Sequence, residues 1–496
     1  MNLNRKEYLN KIRGCFIGKN IGGTLGGPYE GKREILNVKG FSTTKGEPLP
    51  NDDLDLQLVW LHAVECEGPR NIDAKTLGEY WMSFITPYWS EYGISKTFML
   101  RGVSPSVAGD IDANIWKHSN GSWIRTEIWA CLNPGAIDTA VKYAIEDSLV
   151  DHGLGEGTWA ARFVAALESA AFFINDIKKL IEIGLAKIEK NSRVYKTIKY
   201  VLKRFNDKAD YILVRNEIIK MNMDIGDGWF QAPNNIAFVI IGLLWGKGDF
   251  KKSMIYSCNC GDDTDCTCAT VGSILGIMYG EDKIPSDWKE FIGNNIVTCS
   301  INKGVSFIFP KTLDDLVNRV SNQVDYCLLS NKTGITLSEQ KTEIDPKMIK
   351  AFSNKFGEKD ERDEMRSLLA SLRPNSFKMK TGAVTTIVTY ENGIYTKVGE
   401  NKKLTIMAVN NYKAKGNACR QVMFELILPK GFECEQKFKE AMAPHWTPMT
   451  IDGNTEKLVF DLKINEANGN DATVILKVKI NDNGTEYFVP IKFLYK

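Results

Sequence analysis

Two acidic clusters stand far apart in this chain, Asn51-Asp52-Asp53-Leu54-Asp55 and Gly261-Asp262-Asp263-Thr264-Asp265. The first follows Pro50 and leads into the apolar run Leu56–Val64; the second leads into Ala269–Met278. Each stands where a helix begins, and Asp or Thr there ordinarily caps the first turn by accepting its unpaired N–H groups. A cap needs one side-chain oxygen, or two with a favourable dipole, not a row of carboxylates. Crowded carboxylates repel one another unless a cation sits among them. If the two helix starts meet, Asp52, Asp53, Asp263 and Asp265 form an all-oxygen donor set suited to a hard divalent cation, Mg²⁺ or Mn²⁺. For either cluster taken alone, simple capping is the competing reading.

Other groups offer less. Cys258-x-Cys260 and Cys266-x-Cys268 could bind zinc, but C-x-C is tighter than the usual zinc-site spacing and the cluster straddles hard carboxylates, so buried free thiols are expected. The four histidines give no legible Ser-His-Asp or Cys-His arrangement. His62 lies in an apolar helical run and reads as packing. His118 sits in a polar loop with no partner visible, and His445 beside Trp446 reads as a surface or packing residue. The stretch Asp151-His152-Gly153 through Trp159 could present backbone N–H groups to an anion, or be an ordinary capping turn. No Walker loop is present, and the glycines of Gly22–Gly27 do not follow a strand-like run, so a dinucleotide fingerprint is not supported.

The elements that must position these residues change type along the chain. Up to about residue 330 the pattern is helical: Ala160–Phe173, Asn235–Leu244 and Thr270–Met278 are apolar or small-residue runs, and Ile177–Phe205 reads as one half-exposed helix. Gly14, Gly18 and Gly22 recur every four residues, a smooth stripe for close helix packing. Residues 331–375 read as a connector with a helix around Asp360–Leu372. Beyond it the period becomes two, in Val384–Tyr390, Leu404–Val409, Val422–Leu428, Leu458–Leu462, Val474–Ile480 and Tyr487–Phe493. Turn signals fall at Glu391-Asn-Gly, Pro429-Lys-Gly, Asp452-Gly-Asn and Asn481-Asp-Asn-Gly. The expected organisation is an all-α domain over 1–330, the connector over 331–375, and an immunoglobulin-like β-sandwich over 376–496.

Composition sets the outer limits. The chain has 496 residues, enough for about two to four domains. Its 43% hydrophobic and 25% charged residues are those of a globular protein. A net charge of +2 gives no electrostatic reason to expect nucleic acid or an anionic membrane as partner. No apolar run reaches membrane-spanning length, the N-terminal residues lack a signal-peptide core, and eleven scattered cysteines fit reduced thiols. The expectation is a cytoplasmic protein.

An ordered series of segments over residues 10–325 resembles the ADP-ribosylglycohydrolase family, which includes the dinitrogenase reductase-activating glycohydrolases. Arg13-Gly-Cys-Phe-Ile-Gly18, continuing through Gly22-Gly-Thr-Leu-Gly26-Gly-Pro-Tyr-Glu30, is similar to the family's opening helix and its acidic residue. Asn51-Asp52-Asp53 falls where the family has Thr-Asp-Asp, and Gly261–Cys266 falls on its Gly-Gly-Asp-Thr-Asp-Thr. Asn120-Gly121-Ser122 and Asp151-His152 are more loosely similar to its phosphate- and substrate-contacting loops.

The resemblance implies an all-α fold with one or two Mg²⁺ or Mn²⁺ ions in a cleft at the helix starts. It assigns Asn51, Asp52, Asp53, Asp263 and Asp265 as metal ligands, with Glu30, Asp53 and Asp263 catalytic and Asn120, Gly121, Ser122 and His152 binding substrate. Cys266 replaces a threonine and exchanges a hard oxygen for a soft sulfur, leaving Asp55, Asp262 or water to fill that position. The implied function is metal-dependent hydrolysis of a glycosidic bond at a ribose-like anomeric carbon, removing ADP-ribose from a modified protein or from a small ADP-ribosyl or ribosyl compound. A hydrolase of another riboside or small glycoside, and a catalytically inactive ligand-binding relative, are the alternatives. The β-domain lies outside the resemblance.

Overall fold

The computed structural model describes all residues except 227, 302–307, 359–361, 412–419, 444–456 and 481–483. His445 and the turn signals at Asp452 and Asn481 therefore lie outside the described residues. The chain divides into two compact units: Met1–Ile94 with Ala113–Phe356, and Ser95–Asp112 with Gly357–Lys496. The units do not follow chain order, because residues 95–112 belong with the C-terminal part.

The first unit is helical. Its site is framed by Arg5–Gly26 (α1), Asp52–Glu67 (α2), Ile137–Asp151 (α3), Glu156–Ala171 (α4), Ala232–Trp245 (α5) and Thr264–Tyr279 (α6). A parallel pair, Asn2–Asn4 (β1) with Thr336–Ser338 (β2), ties residues 336–338 to the N-terminus. α1 is almost wholly buried from Gly14 to Gly26, and its glycine stripe faces α6. A Cβ on Gly14, Gly18, Gly22 or Gly26 would overlap backbone atoms of Gly276, Gly272, Cys268 or Thr264 respectively. Gly272 and Gly276 return the same contact onto α1. Bare backbones on both sides let the axes approach more closely than side chains would allow. This contact sets Thr264 and Asp265 beside the C-terminal end of α1. On another face, Gly23 leaves room for the Asn51 side chain, which a Cβ would displace. One helix therefore positions both acidic clusters.

The expected single helix over Ile177–Phe205 is two, Ile177–Ala186 and Arg193–Asn206. The second starts afresh because Ser192 caps it, accepting from the Tyr195 N–H at 3.2 Å.

The second unit carries ten strands among the described residues: Ser376–Thr381 (β3), Val384–Tyr390 (β4), Tyr395–Thr396 (β5), Asn401–Asn410 (β6), Arg420–Ile427 (β7), Phe432–Glu433 (β8), Phe438–Ala443 (β9), Leu458–Ile464 (β10), Asp471–Ile480 (β11) and Glu486–Tyr495 (β12). They form two five-stranded sheets, β3-β4-β6-β10-β8 and β5-β12-β11-β7-β9. Tyr390 and Phe432 of the first meet Phe493 of the second, with ring centroids 5.4 and 5.7 Å apart. β10 alternates buried and exposed residues as a one-sided strand should. β4 and β6 are buried on both faces, because Ala370 of the helix Asp363–Ser371 packs on Ile387, Met407 and Val409. Among the described residues, no helix is long and apolar enough to cross a membrane.

Candidate active site

The first cluster opens α2 and the second opens α6, and the structure brings them together. Oxygens of Asp53 and Asp265 and the Cys266 sulfur lie within 4.8 Å of one another, as do oxygens of Glu30, Asp263 and Asp265. The Cys266 thiol donates to Asp53 Oδ1 at 3.1 Å across 213 residues of sequence. Burial pushes that thiol well above its usual range, so it remains a neutral donor. A cleft of about 280 Å³ opens onto the group, lined by Glu30, Asp52, Asp263, Asp265 and Cys266 together with Glu91, Tyr92, Ser119, Asn120 and Gly121.

Burial dominates the electrostatics. It pushes Asp265 up to about 7, with the Glu30 carboxylate adding to the shift. Burial and then Asp265 hold Asp263 well above the usual carboxylate range. Asp53 is raised in the same way although Lys19 opposes it, and burial followed by Asp52 and Asp53 raises Glu30. Asp263 Oδ1 and Asp265 Oδ1 are buried without a hydrogen-bond partner. Orphaned, crowded carboxylate oxygens fit a hard divalent cation.

The other expected ligands are already engaged. Asn51 caps α2, its Oδ1 accepting from the Asp53 N–H at 2.9 Å. Asp52 Oδ2 accepts from the Tyr92 hydroxyl at 2.9 Å. Asp55 and Asp262, the residues offered in place of the missing threonine, each have hydrogen bonds of their own, although Asp55 Oδ1 is buried without a partner. Asp55 Oδ2 accepts from the N–H groups of Cys299 and Ser300, both at 2.7 Å. Asp262 accepts from the Phe230 N–H and from Asn235 of α5. The thiols of Cys258, Cys260, Cys266 and Cys268 are free and buried, and they do not gather into one group among the described residues.

Asn120 spans two walls: its amide donates to Asp263 Oδ2 at 2.6 Å and its oxygen accepts from the Trp123 indole. Ser122 and His152 are fully buried and are not part of the cleft lining. His118 does have a partner, accepting from the Glu156 N–H at 3.0 Å. The Gly157 N–H bonds the Lys117 carbonyl, and the Glu156 carboxylate caps the helix Arg193–Asn206. The start of α4 is thus committed to the protein's own groups, which removes the anion-site reading of that loop.

Two buried cations behind the cleft have no counterpart in the sequence reading. Lys19 Nζ lies 3.2 Å from Asp53 Oδ2 and 2.7 Å from Glu127 Oε1, and also donates to the Ile124 carbonyl. Arg125 grips Asp151 at the end of α3 with two bonds of 2.7 and 3.0 Å, meets Asp147 at 2.8 Å, and holds the Gly121 carbonyl at 2.6 Å. The signal for Lys19 was a cation amid glycine and apolar residues within α1. Arg125 carried none that spacing could read.

Arg125→Met should destabilise the helical unit by about 3–5 kcal/mol, because Asp147 and Asp151 would be left buried without their counter-charge. Equilibrium denaturation checks this, and a midpoint equal to that of the unaltered protein would contradict it.

A helical unit whose paired carboxylate clusters meet at a sugar-sized cleft has the plan of a glycosidic hydrolase. The family model of the ADP-ribosylglycohydrolases matches residues 4–324, and the chain belongs to that family. A 45-residue segment, 9% of this chain, is 38% identical to the ADP-ribosylarginine hydrolase Tri1 of Serratia proteamaculans (strain 568), and it spans only 12% of that protein. Among solved structures, an ADP-ribosylglycohydrolase-related protein complex aligns with 65% of this chain and 99% of its own at 17% identity and a TM-score of 0.44. A FixG-related protein from Vibrio parahaemolyticus aligns with 23% of this chain and 99% of its own at 10% identity and a TM-score of 0.18. Neither structural likeness is close enough to carry an inference.

Proposed function

We propose that the cleft hydrolyses a glycosidic bond at a ribose-like anomeric carbon with a divalent cation bound, releasing ADP-ribose from a modified protein or a small adduct. The supporting observation is the meeting of Asp53 and Asp265 from distant clusters, with orphaned oxygens on Asp263 and Asp265. Asp263 and Asp265 would hold Mg²⁺ or Mn²⁺, with Asp53 completing the group and Asp52 at its margin. Such an ion orients hydroxyls and acidifies a bound water. The protein's own groups do the rest. Glu30 is exposed at the cleft and is placed to take a proton from the attacking water. Asn120 fixes Asp263, and Gly121 keeps the neighbouring wall free of a side chain. The cleft volume sits at the low end of ligand pockets, roughly 300–1,000 Å³, and suits a ribose with its leaving atom inside while the rest of the substrate lies outward.

A thermal shift tests the cation separately from turnover. The folded carboxyls titrate above an ordinary Asp near 3.9, so the folded state binds more protons than the unfolded one. Without metal, stability should therefore fall as pH rises from about 4 through 7. Cation binding offsets that loss, so the rise in Tm with Mg²⁺ or Mn²⁺ should be greater at pH 8 than at pH 5.5. At a hundredfold excess over Kd the rise should be on the order of several degrees. No shift at either pH would support the second reading, an inactive ligand-binding relative. That reading is favoured by one observation: the Lys19 ammonium already neutralises Asp53.

A further inference from the structure

Glycosidic cleavage needs a proton at the departing atom as well as a nucleophile at carbon. Carboxylates committed to a cation cannot also supply that proton. Among the described cleft residues, Glu91 is the one carboxyl outside the acidic group. It sits in the first turn of the helix Ser90–Leu100, next to Tyr92, whose hydroxyl binds Asp52. Its side chain is only 8% exposed and lies against Gly121 so closely that a Cβ there would strike Oε1. Glycine at position 121 is what admits the carboxyl to the cleft wall.

Behind Glu91 runs a chain of polar contacts. Ser119, also on the cleft, lies beside Glu91 and places its Oγ 3.1 Å from His152 Nε2. His152 Nε2 is 3.8 Å from Glu91 Oε1, and its Nδ1 lies 2.9 Å from Asp151 Oδ1. Arg125 clamps Asp151. The groups facing Glu91 are thus Ser119, His152 and, beyond them, Asp151. Burial raises the Glu91 carboxyl above its usual range, with Asp151 adding to it and His152 opposing.

Resting on the hydrolase reading above, we propose that Glu91 is the general acid that protonates the leaving group. Ser119 and His152 act as positioning residues. As the bond from the anomeric carbon to the departing nitrogen or oxygen breaks, its electron pair goes to that atom, which takes the Glu91 proton. Water adds hydroxide to the carbon and releases a proton to Glu30; Glu30 then passes that proton to solvent, and Glu91, left as carboxylate, regains one from solvent through the cleft.

Two probes decide it: an ADP-ribosylarginine peptide, whose leaving group must be protonated, and p-nitrophenyl ADP-riboside, whose leaving group departs as the anion. With Mg²⁺ present, Glu91→Gln should lower kcat/KM for the peptide by roughly 10²–10⁴-fold and leave the nitrophenyl probe within a few-fold. The full-length unaltered protein should show an alkaline limb in its pH profile with the peptide and none with the nitrophenyl probe, a measurement independent of how the variant folds. Equal losses on both probes, no loss on either, or the same alkaline limb for both would overturn the role of Glu91 while leaving the hydrolase reading intact. An unaltered protein that turns over neither probe would overturn the hydrolase reading and this role with it.

Discussion

Asp263→Asn should abolish turnover, by about 10²–10⁴-fold or more, while leaving the unfolding midpoint unchanged or slightly raised. Asp53→Asn should abolish turnover as well but with a lowered midpoint, because the buried Lys19 ammonium loses one of its two carboxylate partners and keeps only Glu127. The substitutions keep shape, so packing is preserved. Each removes one charge from a buried group in which burial and neighbouring carboxylates already push the members above their usual range. Relief of like-charge repulsion works towards stability, whereas loss of a cation-binding oxygen works against catalysis. For Asp263→Asn, activity and stability are thus expected to move independently or in opposite directions. Melting curves and initial rates on the same protein samples check both halves, and wild-type activity in both variants would defeat the assignment.

Gly22→Ala should have a large structural effect for a single added methyl group. Its Cβ would overlap the backbone of Cys268, which cannot rotate aside as a side chain can. The helices α1 and α6 would have to separate, weakening the contacts at Gly14, Gly18 and Gly26 together. A cost of about 3 kcal/mol or more is expected, at the upper end of overpacking penalties. Because α6 carries Asp265, activity should be lost even in the fraction that stays folded. Gly40→Ala is the control, since nothing lies within 4 Å of a Cβ there, and its midpoint should be nearly unaltered. Chemical denaturation of both variants checks the contrast, and equal midpoints would remove the stripe from the account.

The glycine repeat and the acidic clusters were legible because each is a local pattern with few structural uses. The repeat predicts close packing without naming a partner; the structure supplies α6. Six of the ten strands were legible from their period of two; β3 and β9, at six residues each, went unread, and β5 and β8, at two residues each, are too short to show a period. Ile177–Phe205 was misread as a single helix because Ser192 resembles any surface serine until its neighbour's N–H is seen beneath it. Asn51 caps α2 through its Oδ1, a role that the sequence also allowed and that leaves a second lone pair on the same oxygen. Glu91, Ser119 and Arg125 were not legible at all. Their chemistry depends on contacts such as Arg125 with Asp147 and Asp151, 22 and 26 positions away, and Ser119 with His152, 33 away, and no spacing rule encodes those.

The central claim is that two carboxylate groups, distant in sequence, share one divalent cation. Calorimetric titration of Mn²⁺ into the full-length protein, the Asp53→Asn variant and the Asp265→Asn variant tests it most directly. Saturable binding that is strongly weakened by either substitution is the predicted result. Binding of equal strength in all three proteins, or none in the unaltered one, would contradict it.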